Sequence, residues 1–256
     1  MKKTIILLAL GAAPLLACRG KEAPGGYIAF QVSARPAGAA SDTAPPSGVV
    51  AMGRDTIFLQ RVRLVLAELA IAPSLANECE EEEGEDLPPC VEFDEHPVVI
   101  ELPLDRPVVT RATKPAPASA FNLFQAVVYR PAADTDTAFL RANPEFQGAS
   151  ILVSGTLSRG GKRRAFAFAS DFTEKEEIAI TPEIHVPPGD SLHVTLRIDA
   201  GSWFKSEDGQ ALIDPQSAGP GRPNHHLVRD HIRTSIRAFR DQNRDGQDDG
   251  PGPAAS

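Results

Sequence analysis

The sequence predicts a mainly β protein, an antiparallel β-sandwich with one C-terminal amphipathic helix. Three observations predict it. Residues 191–199 alternate strictly: Leu192, Val194, Leu196 and Ile198 share one face, and His193, Thr195, Arg197 and Asp199 the other. Residues 151–157 and 164–170 are joined by Ser158-Arg159-Gly160-Gly161-Lys162-Arg163, a hairpin signal with glycines where positive φ is needed. Apolar residues make up 42% of the 256, enough for a core, while 23 Pro and 20 Gly punctuate the chain at short intervals.

In chain order, residues 27–33 alternate with Ile28, Phe30 and Val32 on one face. Residues 34–53 are rich in Pro, Ala, Gly and Ser and read as a long loop. Residues 56–72 are apolar and β-branched, with Val62, Leu64 and Leu66 opposite Arg61 and Arg63; helix competes here, because Leu and Ala are good helix formers, and Pro73 ends either element. Val98, Ile100 and Leu102 alternate with Val99 and Glu101. Residues 121–129 are apolar on both parities, the pattern of a strand buried on both faces. Ile178, Ile180, Ile184 and Val186 lead into the turn Pro187-Pro188-Gly189-Asp190. A closing helix is expected over 224–240, with Asn224 as N-cap and Val228, Ile232, Ile236 and Phe239 as one apolar stripe. Its flank of Arg229, Arg233, Arg237 and Arg240 is a solvated face that pairs with the protein's own carboxylates, or a dock for an anionic partner.

The N-terminus speaks to location. Met1-Lys2-Lys3 is basic, residues 5–16 are apolar or small, and the run ends Leu15-Leu16-Ala17-Cys18. This is the length of a secretory leader core, shorter than a membrane span. It resembles the bacterial lipobox, which implies that Cys18 is acylated and becomes the mature N-terminus. Several acyl chains anchor a soluble domain where one alone is marginal. Arg19 follows Cys18 in place of the Asp that commonly retains lipoproteins in the inner membrane, so the expected location is the outer membrane, on its periplasmic face or at the cell surface. The organisation expected is a leader over 1–17, a lipidated tether over 18–26, the sandwich with its helix over 27–240, and a polar tail over 241–256.

Charge narrows the function classes. There are 26 Lys and Arg against 34 Asp and Glu, a net charge of −8, whereas a nucleic-acid binder carries a basic footprint. With Cys18 lipidated, Cys79 and Cys90 are the two remaining thiols of three, and outside the cytoplasm such a pair is expected to be oxidised. They bracket an acidic run, Glu80 to Glu83 with Glu85 and Asp86, which reads as a solvated loop.

Catalytic motifs are missing: the sequence has no GxSxG, HExxH, Walker loop or CxxC. Ser202-Trp203-Phe204-Lys205 matches S-x-x-K without its partner motifs, and Trp203 and Phe204 are expected to plug the end of the sandwich. The sharper signal is the run 241–249, which resembles the start of an EF-hand loop: Asp241, Asn243 and Asp245 alternate oxygens, Gly246 allows a sharp turn, the Gln247 carbonyl follows, and Asp249 sits at the ninth position. Position twelve is Gly252, where the family has a bidentate Glu, and no exiting helix follows. The segment is thus either a weak calcium loop or a polar tail that caps the helix.

Three stretches together resemble a family of bacterial envelope lipoproteins with a transthyretin-like or immunoglobulin-like sandwich. They are residues 55–72 with the Cys-bracketed acidic loop, residues 194–204, and residues 232–246. The resemblance implies fold and location and carries no activity with it. The function expected is a non-enzymatic, membrane-anchored binding or structural module whose partner is an envelope protein or a surface polymer. The alternative is a carbohydrate-binding module or hydrolase accessory domain, which the small number of Trp and Tyr, one and two, disfavours.

Overall fold

A computed structural model of the chain describes residues 25–34, 36, 48–74, 79, 89–186 and 188–250. Cys18 with the leader, the acidic run 80–88 and the end of the tail, 251–256, lie outside the described residues. In chain order the strands are β1 (Gly26–Ser33), β2 (Val49–Met52), β3 (Asp55–Pro73), β4 (Val91–Asp94), β5 (Val98–Glu101), β6 (Val109–Ala116), β7 (Ala120–Val128), β8 (Ile151–Arg159), β9 (Lys162–Ser170), β10 (Glu174–His185), β11 (Ser191–Ile198) and β12 (Ile236–Arg240). Two helices, α1 (Thr137–Ala142) and α2 (His225–Thr234), interrupt them.

The strands form two sheets. One is four-stranded in the order β12-β11-β1-β6; the other is eight-stranded in the order β10-β7-β3-β8-β9, with β2, β4 and β5 also on β3. The alternating residues drive the two inner faces together. Phe30 of the smaller sheet meets Phe93 and Phe124 of the larger, with ring centroids 5.2 and 5.5 Å away. Ile28, Val32, Val194, Leu196 and Ile198 complete that side of the core. A β-sandwich is therefore the fold, with one exception to antiparallel pairing: β1 and β11 run parallel. A parallel pair needs a crossover, and here all eight strands of the larger sheet lie between them in sequence.

Residues 56–72 form a strand, not a helix. β3 is 19 residues long and is hydrogen-bonded along both edges: β8 then β7 on one, and β2, β5 and β4 on the other. Those partners outweigh the helix propensity of its Leu and Ala residues. The β8–β9 hairpin turns at Gly160 and Gly161, whose φ values of +55° and +76° only glycine adopts without strain. The loop expected over 34–53 is shorter than its composition suggests, since Val49–Met52 pairs with β3.

The closing helix needs a correction. α2 ends at Thr234, and residues 236–240 form β12 on the edge of the smaller sheet. Val228 and Ile232 are buried from the helix, whereas Ile236 pairs opposite Ile198 and Phe239 opposite Thr195, on opposite faces of the sheet. A spacing of four residues satisfies a helical stripe and strand alternation alike, so the short stretch was ambiguous by periodicity. The break falls at Thr234 and Ser235, whose hydroxyls donate to the carbonyls of Asp230 and Ile232. Asn224 does occupy the N-cap, but its side chain donates to Ser217 Oγ and caps nothing. Of the basic flank, Arg229 and Arg233 both pair with Glu174 of β10, the internal use expected for that face. Trp203 and Phe204 plug the sandwich end: both are buried, and Phe204 packs edge-on against Phe166 and Phe168.

Candidate functional site

Polar groups concentrate on the outer face of each sheet. On the smaller sheet, β1 and β11 place Gln31 beside Thr195 and Ala29 beside His193, pointing away from the core. Alternation turns that face outward. Yet Gln31, His193 and Thr195 are all buried, because the 241–249 loop folds back across them.

Asp241 anchors that loop. Fully buried, its carboxylate accepts from Thr195 Oγ1 at 2.8 Å and from the backbone N–H groups of Asp245 and Gly246 at 3.0 Å each. Burial pushes its pKa up, against the pull of those three bonds. Gly246 is required twice over: its φ is +79°, and a Cβ there would come within 2.5 Å of Ser33 Oγ.

The protons of this layer can be ordered by elimination. Arg244 Nη2 lies 2.9 Å from His193 Nε2 and can only donate, so Nε2 accepts and the ring is neutral. The proton then sits on Nδ1, 2.8 Å from the Gln31 amide, which must present its oxygen there. The amide nitrogen thus faces Thr195 Oγ1 at 3.2 Å, leaving the single hydroxyl proton of Thr195 for Asp241. The chain runs Arg244 to His193 to Gln31 to Thr195 to Asp241, each group donating to the next. Burial and the Arg244 guanidinium hold the His193 pKa below its ordinary value, consistent with a neutral ring.

The expected calcium ligands sit on this loop, but their oxygens face N–H donors. Asn243 Oδ1 accepts from Asp245 N, Asp245 Oδ1 from Gln247 N, and Asp249 Oδ2 from Gln242 N. The Gln247 side chain reaches instead to Pro36 O at 3.3 Å and to Arg197 at 3.4 Å. Among the described residues, no three His, Cys, Asp or Glu side chains converge as metal ligands.

The second polar site lies on the outer face of the larger sheet. Cys79 and Cys90 are joined as a disulfide, with Cα atoms 5.7 Å apart. On the chain-entropy account, closing so short a loop stabilises by about 3 kcal/mol. Beneath Cys79, a cleft of about 220 Å³ crosses the strands β4, β3, β7 and β10. Gln125 of β7 is buried in its wall, with Oε1 accepting from Cys79 N at 3.0 Å and Nε2 without an acceptor among the described residues. Glu68, Glu92, Asp94 and Glu95 line the cleft with Lys175. Glu68 is exposed within an otherwise buried stretch of β3, at a non-glycine φ of +52°, where the register with β7 shifts between Ala67 and Ala70.

Sequence reasoning missed Gln125 and the buried layer. The signal was present in both cases: Gln125 between Phe124 and Ala126 in the largely apolar run 121–128, and Gln31, His193 and Thr195 at matching parity on two strongly alternating strands. Of the expected site residues, the fold joins Cys79 to Cys90 and gathers Asp241, Asn243, Asp245, Gln247 and Asp249 in one loop, while Cys18 lies outside the described residues. No family model, curated protein or solved structure matches the chain, so its function is argued from its own residues.

Proposed function

We propose that this chain is a lipid-anchored envelope protein, a non-enzymatic binding or structural module held on the outer membrane through Cys18. The observation that carries the reading is the Cys79–Cys90 disulfide, which belongs to an oxidising compartment and so agrees with the leader and its lipobox-like end. The non-enzymatic part is supported by the use made of His193 and Asp241. These groups have shifted pKa values, yet each is locked into a proton-ordered chain that seats a loop. The partner in this reading is an envelope protein or surface polymer, with the membrane reached by the acyl chains alone.

Cys18→Ala tests the anchor. The variant is expected to move from the membrane fraction to the soluble periplasm. If it still pellets with membranes after a high-salt wash, attachment lies elsewhere and the reading fails.

Calcium at the 241–249 loop is the second part of the proposal. Its support is the order of oxygens and the turn at Gly246. An ion there would have to draw Asp241, Asn243, Asp245 and Asp249 together with the Gln247 carbonyl, against hydrogen bonds those side chains already make. Affinity is therefore expected at the weak extracellular end, about 10⁻⁴ to 10⁻³ M. At a few times Kd such binding stabilises the fold by about 1 kcal/mol. Calorimetric titration with calcium should give heats in the natural chain that Asp245→Ala abolishes. Equal heats and equal melting curves in both would leave the loop a polar cap.

A further inference from the structure

We propose that the outer face of the larger sheet, at the end remote from the tether, binds an acidic polysaccharide, a chain of sugar units that carry carboxylates. The proposal names the polymer for the binding role given above and rests on that reading. Its residues are independent of the anchor.

Charge marks the site. The turn between β2 and β3 and the turn between β8 and β9 lie side by side, since Thr56 pairs opposite Ser158 and Arg159 Nε donates to Asp55 Oδ2 at 2.7 Å. These turns with their flanks, residues 51–58 and 156–166, carry Arg54, Arg159, Lys162, Arg163 and Arg164 against one carboxylate, Asp55, in a chain whose net charge is −8. Arg159 is held by Asp55, and Arg164 by Asp214. Arg54, Lys162 and Arg163 are exposed and have no carboxylate partner among the described residues. The topology sets where these cations point. Gly26, where the chain enters the sandwich, pairs with Ala116, and the end of β3 lies close by, with Ser74 N–H donating to the Ala120 carbonyl. β3 starts at the two basic turns, 19 residues and about 60 Å away. A domain standing on an anchor before Gly26 therefore presents the turns outward.

Behind the turns the face suits a chain of rings. Alternation puts Thr56, Ser158 and Arg163 in one row across β3, β8 and β9, and Phe58, Thr156 and Ala165 in the next. The Arg163 guanidinium lies over the partly exposed Phe58 ring, with Cζ 5.6 Å from its centroid, which fixes the charge above the sheet. The hydroxyls of Thr56, Thr156 and Ser158 share that face and are partly exposed. Neighbouring strands lie about 4.8 Å apart, close to the length of one sugar unit, so a polymer crossing them meets a new side chain at each unit. A carboxylate takes the guanidinium by two parallel hydrogen bonds, ring hydroxyls meet Thr56, Thr156 and Ser158, and the apolar face of a ring lies on Phe58. A neutral polysaccharide leaves the cations unanswered. An acidic polypeptide answers them and leaves Phe58 and the hydroxyls unused. Charge leads here, so one Trp and two Tyr in the whole chain are no obstacle.

Titration calorimetry on the full chain tests this with polygalacturonate, its methyl ester (the sugar without the charge), poly-L-glutamate (the charge without the sugar) and phosphatidylglycerol vesicles. Polygalacturonate is expected to bind at low salt, its methyl ester about tenfold less tightly, and poly-L-glutamate several-fold less tightly. Arg163→Gln should weaken polygalacturonate about tenfold. Phe58→Leu should weaken polygalacturonate several-fold and leave poly-L-glutamate unchanged, and circular dichroism melting shows that each variant is folded. Lys114→Gln, an equal loss of charge on the smaller sheet, should change neither. Absence of polygalacturonate binding overturns the proposal, as does undiminished binding by Arg163→Gln. Poly-L-glutamate bound as tightly as polygalacturonate would assign the face to an acidic protein, and vesicles bound more tightly would assign it to a lipid surface; either overturns the polysaccharide. The Cys18→Ala fractionation is read separately. Lost polymer binding with the anchor intact sinks only this proposal, and polymer binding without the anchor leaves it standing.

Discussion

Trp203→Ala should unfold at far lower urea than the natural chain, with a loss of about 3–5 kcal/mol. Trp203 has no exposed surface and sits where the chain leaves β11. Its indole N–H donates to Ser235 Oγ at 2.8 Å, and its carbonyl oxygen lies 3.1 Å from His231 Nδ1. One side chain thus ties the end of β11 to the corner between α2 and β12. Alanine removes the largest fully buried side chain and leaves a cavity that neighbouring Phe204, already held edge-on by Phe166 and Phe168, cannot fill. Trp203→Phe retains most of the packing and loses the N–H bond, so its cost should be nearer 1–2 kcal/mol. Trp203 is the one Trp of the sequence, so both variants must be followed by circular dichroism. A midpoint shift with an unchanged slope is the expected form. A loss below about 1 kcal/mol for the alanine variant would mean that the corner is not packed as described.

That corner also shows what the sequence could and could not disclose. Trp203 was legible as a plug because it directly follows the most regular strand, and strand ends are where a sandwich needs large side chains. β1, β11 and the β8–β9 hairpin were legible because period two cannot be mistaken for a helix over seven or more residues. The end of α2 was not, since residues 228, 232 and 236 fit both periods and only pairing with β11 decides between them. The parallel pairing of β1 with β11 was out of reach for a different reason. It joins residues some 160 positions apart, such as Phe30 with Val194, and no local pattern carries that information.

The sites divide along the same line. The composition of the 241–249 loop was visible, including the need for glycine at 246. Its destination was not, because alternation marks His193 and Thr195 only as facing away from the core and cannot say what covers them. Gln125 marks the general limit. An amide inside an apolar strand signals a buried polar contact, but its partner, Cys79 N–H, lies 46 residues away.

Asp241→Ala is the second large effect expected, about 2–4 kcal/mol at neutral pH. The estimate weighs three bonds to an ionised acceptor, each worth about 1.5–3 kcal/mol, against the desolvation that burial imposes on that carboxylate. Alanine leaves the Thr195 hydroxyl and the N–H groups of Asp245 and Gly246 without their acceptor, so amide exchange at 245 and 246 should rise with the stability loss. Asp241→Asn separates charge from shape. Because burial raises the folded-state pKa of Asp241, the folded protein takes up its proton at higher pH than the unfolded chain does. Its contribution is therefore full below the unfolded carboxylate pKa and is lost as pH rises through the folded value. His193 works in the opposite sense: its folded pKa is depressed, so its contribution is present above about 6.5 and is lost as pH falls through the folded value. Asp199 and Glu176, both raised mainly by burial, share the sign of Asp241 but are common to the natural chain and the variant, and cancel in the difference. Urea titrations between pH 7 and pH 4 should show the natural chain gaining on Asp241→Asn as the pH falls. A gap that narrows in acid would reverse the sign of the Asp241 shift and show that its hydrogen bonds outweigh its burial.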